Sequence, residues 1–149
     1  MSVVRIEDAS ERSRLCHGIL RSLPEWFGIE EAIEHYVDEV ASLPTFAVGE
    51  DALLSLKLHT ATAAEIYVLG VRPELHRQGL GASLVSAAEE DLRARGVEFL
   101  QVKTLGPSRP NEHYERTRRF YESCGFSALE EIHGLWGEVN PCLLMIKRL

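Results

Sequence analysis

Apolar positions at helical spacing dominate the beginning of the chain. A short apolar run at 3–6 predicts a strand. Between Leu15 and Leu23 an apolar residue then returns on each turn of a helix, until Pro24 interrupts it. A second helix is predicted over 29–43, with an apolar stripe opposite a face of acidic residues. Two amphipathic helices therefore precede most of the predicted sheet.

Alternation of apolar and polar residues follows this helix pair and predicts a sheet. An acidic turn with one glycine separates two short apolar runs, which is typical of a hairpin. One later helix has an apolar stripe that Gly96 ends, and another is ended by Gly125. The predicted strands are 45–48, 52–59, 64–71, 97–104, 126–133 and 141–147, and the helix before 97–104 spans 79–95. This order of strands and helices predicts a mixed α/β fold.

Composition and charge narrow the classes of partner. The length of 149 residues and a hydrophobic content of 45% suit one globular domain, 1–149. A formal charge of -7 argues against a nucleic-acid-binding surface. No apolar run approaches the roughly 20 residues that span a bilayer, and charge follows the initiating methionine too soon for a secretion signal. Three cysteines without a CxxC pair favour a reducing compartment. We expect a cytoplasmic protein without nucleic-acid or membrane partners.

A glycine-containing turn at 76–81 joins the predicted strand 64–71 to the predicted helix 79–95. The first N–H groups of a helix lack partners within it and carry the positive end of its dipole, so such a turn favours a phosphate. Gly79 and Gly81 have no Cβ, which lets the backbone approach an anion closely. The turn lacks the GKS or GKT of a P-loop and the GxGxxG spacing of a dinucleotide site. Alone, the pattern is equally compatible with a plain strand-to-helix turn.

Two segments together carry a resemblance to a known family. They are His76-Arg77-Gln78-Gly79-Leu80-Gly81-Ala82 and Phe120-Tyr121-Glu122-x-x-Gly125-Phe126. Both resemble signature regions of the GNAT superfamily of N-acetyltransferases, and the order of predicted elements matches that fold over essentially the whole chain. The resemblance implies the GNAT acyl-CoA N-acyltransferase fold, with a mixed, mostly antiparallel sheet of about six to seven strands and about four helices. It also implies transfer of an acetyl group from acetyl-CoA to a primary amine by direct attack in a ternary complex.

The resemblance also assigns donor contacts by position. Leu69 and Val71 would contact the pantetheine arm of acetyl-CoA through backbone hydrogen bonds. The backbone N–H groups of the turn would hold its pyrophosphate. The turn residues concerned are Arg77, Gln78, Gly79, Leu80, Gly81 and Ala82.

The chain departs from the family pattern at three positions. His76 stands where Gln or Arg is usual, with Arg77 beside it. The role of His76 is therefore open between a donor contact and an exposed loop histidine. Tyr114 and Thr117 stand seven and four residues before Tyr121, where the family often has Asn and Ala. No Asn-type contact with the cofactor is expected.

Candidate catalytic residues follow from the chemistry of amine acylation. The reaction needs a neutral amine, a polarised carbonyl and protonation of the leaving thiolate. By resemblance, Tyr121 is the general acid at the sulfur, and Glu65 is the general base, directly or through water. The alternatives are a tyrosine that only packs and an edge carboxylate with a surface hydrogen bond. Cys124 lies on an apolar stripe and is interpreted as structural, and the scattered histidines predict no metal site.

The acceptor is predicted to be a small cationic amine. No Lys or Arg lies between Arg21 and Lys57, and this stretch contains eight acids. Together with Trp26 and Phe27 the acids would attract a cation, whereas a solvated helix face is the alternative explanation. Two rivals to an enzyme stay open: a module of the same fold that binds acyl-CoA without turnover, and a structural domain without CoA affinity. The oligomeric state is also open, a homodimer included.

Overall fold

The computed structural model describes residues 2–149, which form seven strands and four α-helices. The helices are α1 (Ala9–Arg21), α2 (Glu30–Val40), α3 (Leu80–Ala94) and α4 (Glu112–Ser123). The strands are β1 (Val4–Arg5), β2 (Thr45–Val48), β3 (Ala52–Leu58), β4 (Ala63–Val71), β5 (Phe99–Leu105), β6 (Ser127–Gly134) and β7 (Gly137–Arg148). The element order confirms the prediction from the sequence.

All seven strands form one sheet in the order β1-β2-β3-β4-β5-β7-β6. Every neighbouring pair is antiparallel except β4 and β5, which are parallel because α3 returns the chain along the sheet between them. The prediction of a mixed, mostly antiparallel sheet is therefore confirmed.

Helices cover both faces of the sheet. One core cluster, which includes Leu84 and Tyr121, joins α3 and α4 to what we call the α3–α4 face. A second cluster, which includes Ile19 and Ile33, joins α1 and α2 to the opposite α1–α2 face. The apolar stripes that the sequence predicts on the helices are the surfaces that pack against the sheet. Within residues 2–149, no helix combines the length and the apolar character needed to cross a membrane.

Most element bounds shift from the predicted ones by one to three residues, and two differences bear on turns of the chain. β7 begins at Gly137 rather than at 141, because Gly134 and Gly137 both have positive φ and close a tight turn, so pairing starts at once despite polar side chains. A 3₁₀ turn at Pro73–Leu75 lies between β4 and α3, with Pro73 at its first position. This turn brings the chain from the sheet to the start of α3.

Candidate functional site

β4 and β5 separate partway along their length and leave a cavity between them. They pair from Ala63 and Phe99 to Ile66 and Val102, and both strands continue beyond this point without bonding to each other. A cavity of about 1290 Å³ occupies the opening. Small-ligand sites usually have roughly 300–1,000 Å³. The cavity therefore has room for two substrates together.

A β-bulge at Tyr67 decides which side chains of β4 face which layer. The β3–β4 register shifts there, so Tyr67 is an extra residue in β4. Before the bulge Ile66 packs on the α3–α4 face; after it, Val68 packs on the α1–α2 face and Leu69 on the α3–α4 face. Leu69 and Val71, the predicted pantetheine contacts, thus line the cavity from the α3–α4 side.

The turn into α3 has the left-handed backbone that its glycines allow. Gly79 is the N-cap with a φ of 82°, and no side chain caps the helix. Arg77 has a φ of 65° and is the one non-glycine residue within 2–149 with positive φ, a conformation that costs roughly 1–2 kcal/mol. The first backbone bond of α3 runs from Ser83 N to Gly79 O at 3.0 Å. The N–H groups of 80–82 therefore have no acceptor within the helix.

The predicted donor residues of the turn are oriented differently from one another. Arg77 and Gly81 line the cavity. The side chain of Leu80 is buried in the core of the α3–α4 face, and those of Gln78 and Ala82 are exposed. Any contribution of Leu80, Gln78 and Ala82 to the cavity therefore comes from the backbone.

Gly81 lets the turn lie directly against α4. A Cβ on Gly81 would lie 3.0 Å from Phe120 Cζ and 3.1 Å from Phe120 Cε1, which is closer than ordinary van der Waals contact. Phe120 also lines the cavity. Glycine at 81 thus sets the spacing between the turn and α4.

His76 is exposed but engaged within the protein. Its Nε2 lies 2.7 Å from the carbonyl oxygen of Val71, and its ring meets the ring of Trp26 edge-on at a centroid distance of 5.6 Å. The imidazole thereby ties the turn back to the end of β4. At this departure from the family pattern, the histidine has a structural contact of its own.

Tyr121 lines the cavity from α4 and is only 5% exposed. Burial raises the pKa of its phenol, so the hydroxyl keeps its proton at neutral pH. The hydroxyl of Tyr114 donates to the Trp26 carbonyl at 2.8 Å, whereas that of Tyr121 has no hydrogen-bond partner among residues 2–149. A protonated phenol that is free of protein partners can serve as a proton donor.

Glu65 faces the other side of the sheet from Tyr121. It precedes Ile66, which packs in the same cluster as Tyr121, and successive strand residues point to opposite faces. The buried Glu65 carboxylate accepts a hydrogen bond from Lys103 Nζ at 3.3 Å and lies 2.6 Å from His59 Nε2. Lys103 lines the cavity, and Glu65 does not. The structure therefore does not bring the two predicted catalytic residues together in the cavity wall.

Of the eight acids predicted to attract a cationic acceptor, one lines the cavity. The eight acids are Glu25, Glu30, Glu31, Glu34, Asp38, Glu39, Glu50 and Asp51. Of these, Glu25 lines the cavity, while Glu30, Glu39 and Glu50 form ion pairs elsewhere. The basic residues that line the cavity are Arg77, Lys103, Arg109, Arg116 and Arg119. The alternative of a solvated helix face therefore describes most of these acids.

Sequence reasoning missed several cavity residues. Thr104 is 4% exposed and lines the cavity, and its hydroxyl is the buried side-chain polar atom without a hydrogen-bond partner among residues 2–149. The rings of Tyr36 and Tyr67 meet at a centroid distance of 5.2 Å and form an aromatic wall on the α1–α2 side. Alternation in a strand and spacing in a helix predict that such residues are buried, but they do not predict a cavity beside them.

Cysteine and metal chemistry receive no support from the geometry. Cys124 is half-buried, and burial raises the pKa of its thiol, which disfavours the nucleophilic thiolate. No three His, Cys, Asp or Glu side chains come together as a metal site in the described part of the chain.

Comparisons with known sequences agree with the resemblance of the two motifs. A family model described as "Acetyltransferase (GNAT) domain" matches residues 34–128. Mycothiol acetyltransferase from Beutenbergia cavernae is 38% identical over 92 residues, which are 60% of this chain and 29% of the relative. The chain thus spans less than a third of the length of that relative.

Solved structures share the fold over the whole chain. A protein of the GNAT family from Desulfovibrio desulfuricans has a TM-score of 0.82 at 19% identity, with 99% of each chain covered. PaiA N-acetyltransferase from Thermoplasma acidophilum, in complex with coenzyme A, has a TM-score of 0.71 at 18% identity, with 100% of each chain covered. At such low identities the likeness shows a common fold.

Proposed function

The chain belongs to the GNAT family of acetyltransferases, and from this premise we propose that it transfers an acetyl group from acetyl-CoA to a primary amine. The observation that carries the proposal is one cavity that contains three parts suited to this reaction. These are the turn into α3, the unpaired ends of β4 and β5, and the protonated phenol of Tyr121. No other described cavity combines them.

The donor fits the α3–α4 side of the cavity. The free N–H groups of 77–82 and the positive end of the α3 dipole favour a pyrophosphate, and Arg77, Arg116 and Arg119 add positive charge along the same cavity. Beyond Ile66 the edge of β4 that faces β5 has no strand partner. An extended pantetheine arm with its amide groups can complete this edge as an added strand would. This is the physical reason for assigning donor contacts to the backbone of Leu69 and Val71.

Tyr121 completes the proposed transfer. The neutral amine forms a bond to the acetyl carbon while the carbon–sulfur bond breaks, and the Tyr121 hydroxyl gives its proton to the leaving sulfur. The proton that the new amide nitrogen loses then returns to the Tyr121 phenolate through water, so that the amide and the free thiol are the products. The predicted role of Glu65 as base stays a prediction, because its carboxylate lies behind Lys103. From that position Glu65 positions the ammonium group of Lys103 in the cavity wall.

The acceptor side of the cavity is the α1–α2 side. Its rings, which include Tyr36 and Tyr67, offer faces to a cation, and Glu25 offers a carboxylate. Lys103 and Arg109 oppose a second positive charge. A cationic acceptor therefore stays a prediction. Comparison of the turnover of matched amines with and without an additional carboxylate would test it.

Release of free thiol from acetyl-CoA tests the proposal. Purified protein is given acetyl-CoA and a panel of primary amines in matched cationic, neutral and anionic forms. We expect amine-dependent thiol release, with the acetylated amine identified by mass. Acetyl-CoA at a hundredfold excess over its Kd should stabilise the fold by about 2.7 kcal/mol, which raises Tm by roughly 5–10 °C for a chain of this size. Stabilisation without thiol release for any amine would indicate a binding module. The absence of both stabilisation and thiol release would refute donor binding.

A further inference from the structure

Trp26, in the connection between α1 and α2, packs against the α1–α2 cluster and also reaches across the cavity to α4 and to the turn into α3. Its indole Nε1 donates to Thr117 Oγ1 of α4 at 3.0 Å. Its ring meets His113 of α4 edge-on at a centroid distance of 4.9 Å and His76 of the α3 turn at 5.6 Å. One side chain therefore bridges the turn into α3 and the helix that carries Tyr121.

The backbone of Trp26 is also held in place by hydrogen bonds. Its carbonyl accepts a hydrogen bond from the Tyr114 hydroxyl at 2.8 Å, and its N–H donates to the Leu23 carbonyl at 3.1 Å. Burial raises the pKa of Tyr114 to about 12, so the phenol remains a donor at neutral pH. Tyr114 and Thr117, two positions where the chain departs from its family's usual residues, are the two that hold Trp26.

The bridge spans the path that the donor must take. His76 is the first residue of the turn proposed to bind the pyrophosphate, and Thr117 lies one helical turn, about 6 Å, before Tyr121. A molecule with its phosphates at the turn and its sulfur at Tyr121 must pass along Trp26. All four of these residues line the same cavity.

We propose that Trp26 is a donor-binding residue, held by Tyr114 and Thr117 so that its indole packs along the pantetheine arm of CoA. The inference rests on the proposed function, since it requires CoA in the cavity. The pantetheine arm has apolar methyl and methylene groups, and an indole buries a large apolar area with little loss of rotamer freedom. Trp26 thus contributes to donor affinity, and the α1–α2 connection belongs to the donor site.

Calorimetric titration with CoA tests the proposal without requiring turnover. Trp26→Ala should raise the Kd for CoA by about tenfold or more, as for an aromatic anchor of an interface. Trp136→Ala is the matched control, because Trp136 is the second of the two tryptophans of the chain and lines the same cavity from the β6–β7 hairpin. Its Kd should stay within about twofold of wild type. An unchanged Kd in Trp26→Ala, or an equal rise in Trp136→Ala, would overturn the proposal.

Variants of Thr117 separate positioning from packing. Thr117→Val removes the acceptor of the indole N–H and should raise the Kd for CoA about threefold, whereas Thr117→Ser keeps a hydroxyl and should restore it. Equal Kd values in the two variants would contradict a positioning role. Trp26→Phe keeps most of the packing and replaces Trp26→Ala if the latter does not fold.

Kinetic constants tell the donor site from the acceptor site. We expect Trp26→Phe to raise KM for acetyl-CoA and to leave KM for the amine within about twofold. A rise in KM for the amine alone would place Trp26 with the acceptor and overturn the proposal. If the wild-type protein itself does not bind CoA, the proposed function fails first. If it binds CoA and the Trp26 variants bind equally well, this inference alone fails.

Discussion

Two tyrosines of α4 provide a paired test of the proposed chemistry. Tyr121 lines the cavity with a hydroxyl that has no partner within the described residues, and the Tyr114 hydroxyl donates to the Trp26 carbonyl at 2.8 Å. Replacement by Phe removes one oxygen atom in each case and leaves the ring. One hydroxyl is bonded within the protein and the other is not. Tyr114→Phe should therefore lower stability with little effect on turnover, and Tyr121→Phe should lower turnover with little effect on stability.

The expected magnitudes follow from these contacts. Tyr121→Phe breaks no hydrogen bond within the described protein and should change the free energy of unfolding by less than about 0.5 kcal/mol. Its kcat should fall about 100-fold, the lower end for loss of a general acid, which corresponds to about 2.7 kcal/mol of barrier. Tyr114→Phe should lose about 0.5–1.5 kcal/mol of stability and leave the Trp26 carbonyl without this partner. Its kcat at saturating acetyl-CoA should stay within about threefold of wild type.

The assay combines urea unfolding with thiol release at saturating acetyl-CoA. Both variants are measured in the same buffer, so the two readouts can be compared directly. A kcat of Tyr121→Phe within about threefold of wild type would refute the role of Tyr121 as proton donor. A larger loss of kcat in Tyr114→Phe than in Tyr121→Phe would refute the assignment of the two hydroxyls.

Three further predictions concern buried polar groups. Thr104→Val removes a buried hydroxyl without a partner and should leave the free energy of unfolding unchanged or higher. Thr45→Val removes the hydrogen-bond partner of the Ser55 hydroxyl and should lower the free energy of unfolding by about 1–3 kcal/mol. Equal losses of the two variants in urea unfolding would contradict this difference. Glu65→Gln should lower the free energy of unfolding by about 1–3 kcal/mol, since it leaves Lys103 without its counter-charge. It should lower kcat less than tenfold. A fall in kcat of about 100-fold would support Glu65 as the base. Burial raises the pKa of all four tyrosines, so their contribution to stability should be complete below about pH 10 and be lost as the pH rises through the folded-state values, about 12 for Tyr114. Phenolate absorbance that develops near pH 10 in the folded protein would contradict burial of these rings.

The elements of the fold could be predicted from the sequence because each depends mainly on residues that are close together in the chain. The apolar stripe of α2, the break at Pro24 and the glycine at the start of α3 each follow from a few neighbouring residues. These features required no knowledge of distant contacts.

The details of the site depend on partners that are distant in sequence. Thr117 lies 91 residues from Trp26, and Lys103 lies 38 residues from Glu65. The bulge at Tyr67 depends on the register between two strands, which packing of the whole sheet decides. The sequence therefore predicted Tyr121 and the turn as candidates, but it did not predict the contacts of Trp26 with α4 or the ion pair of Glu65.

The separation of β4 and β5 also divides the sheet into two ladders that few backbone pairs join. β1 to β4 and β5 to β7 each form a continuous antiparallel ladder, and only four residue pairs connect the two ladders across the sheet. Separation of the ladders should therefore break few backbone hydrogen bonds, and the buried side chains of Ile66, Leu100 and Val102 are what hold the seam closed. A ligand that spans the cavity contacts both halves and holds them together. Slower amide hydrogen exchange at 63–66 and 99–102 would then report occupancy of the cavity from a distance.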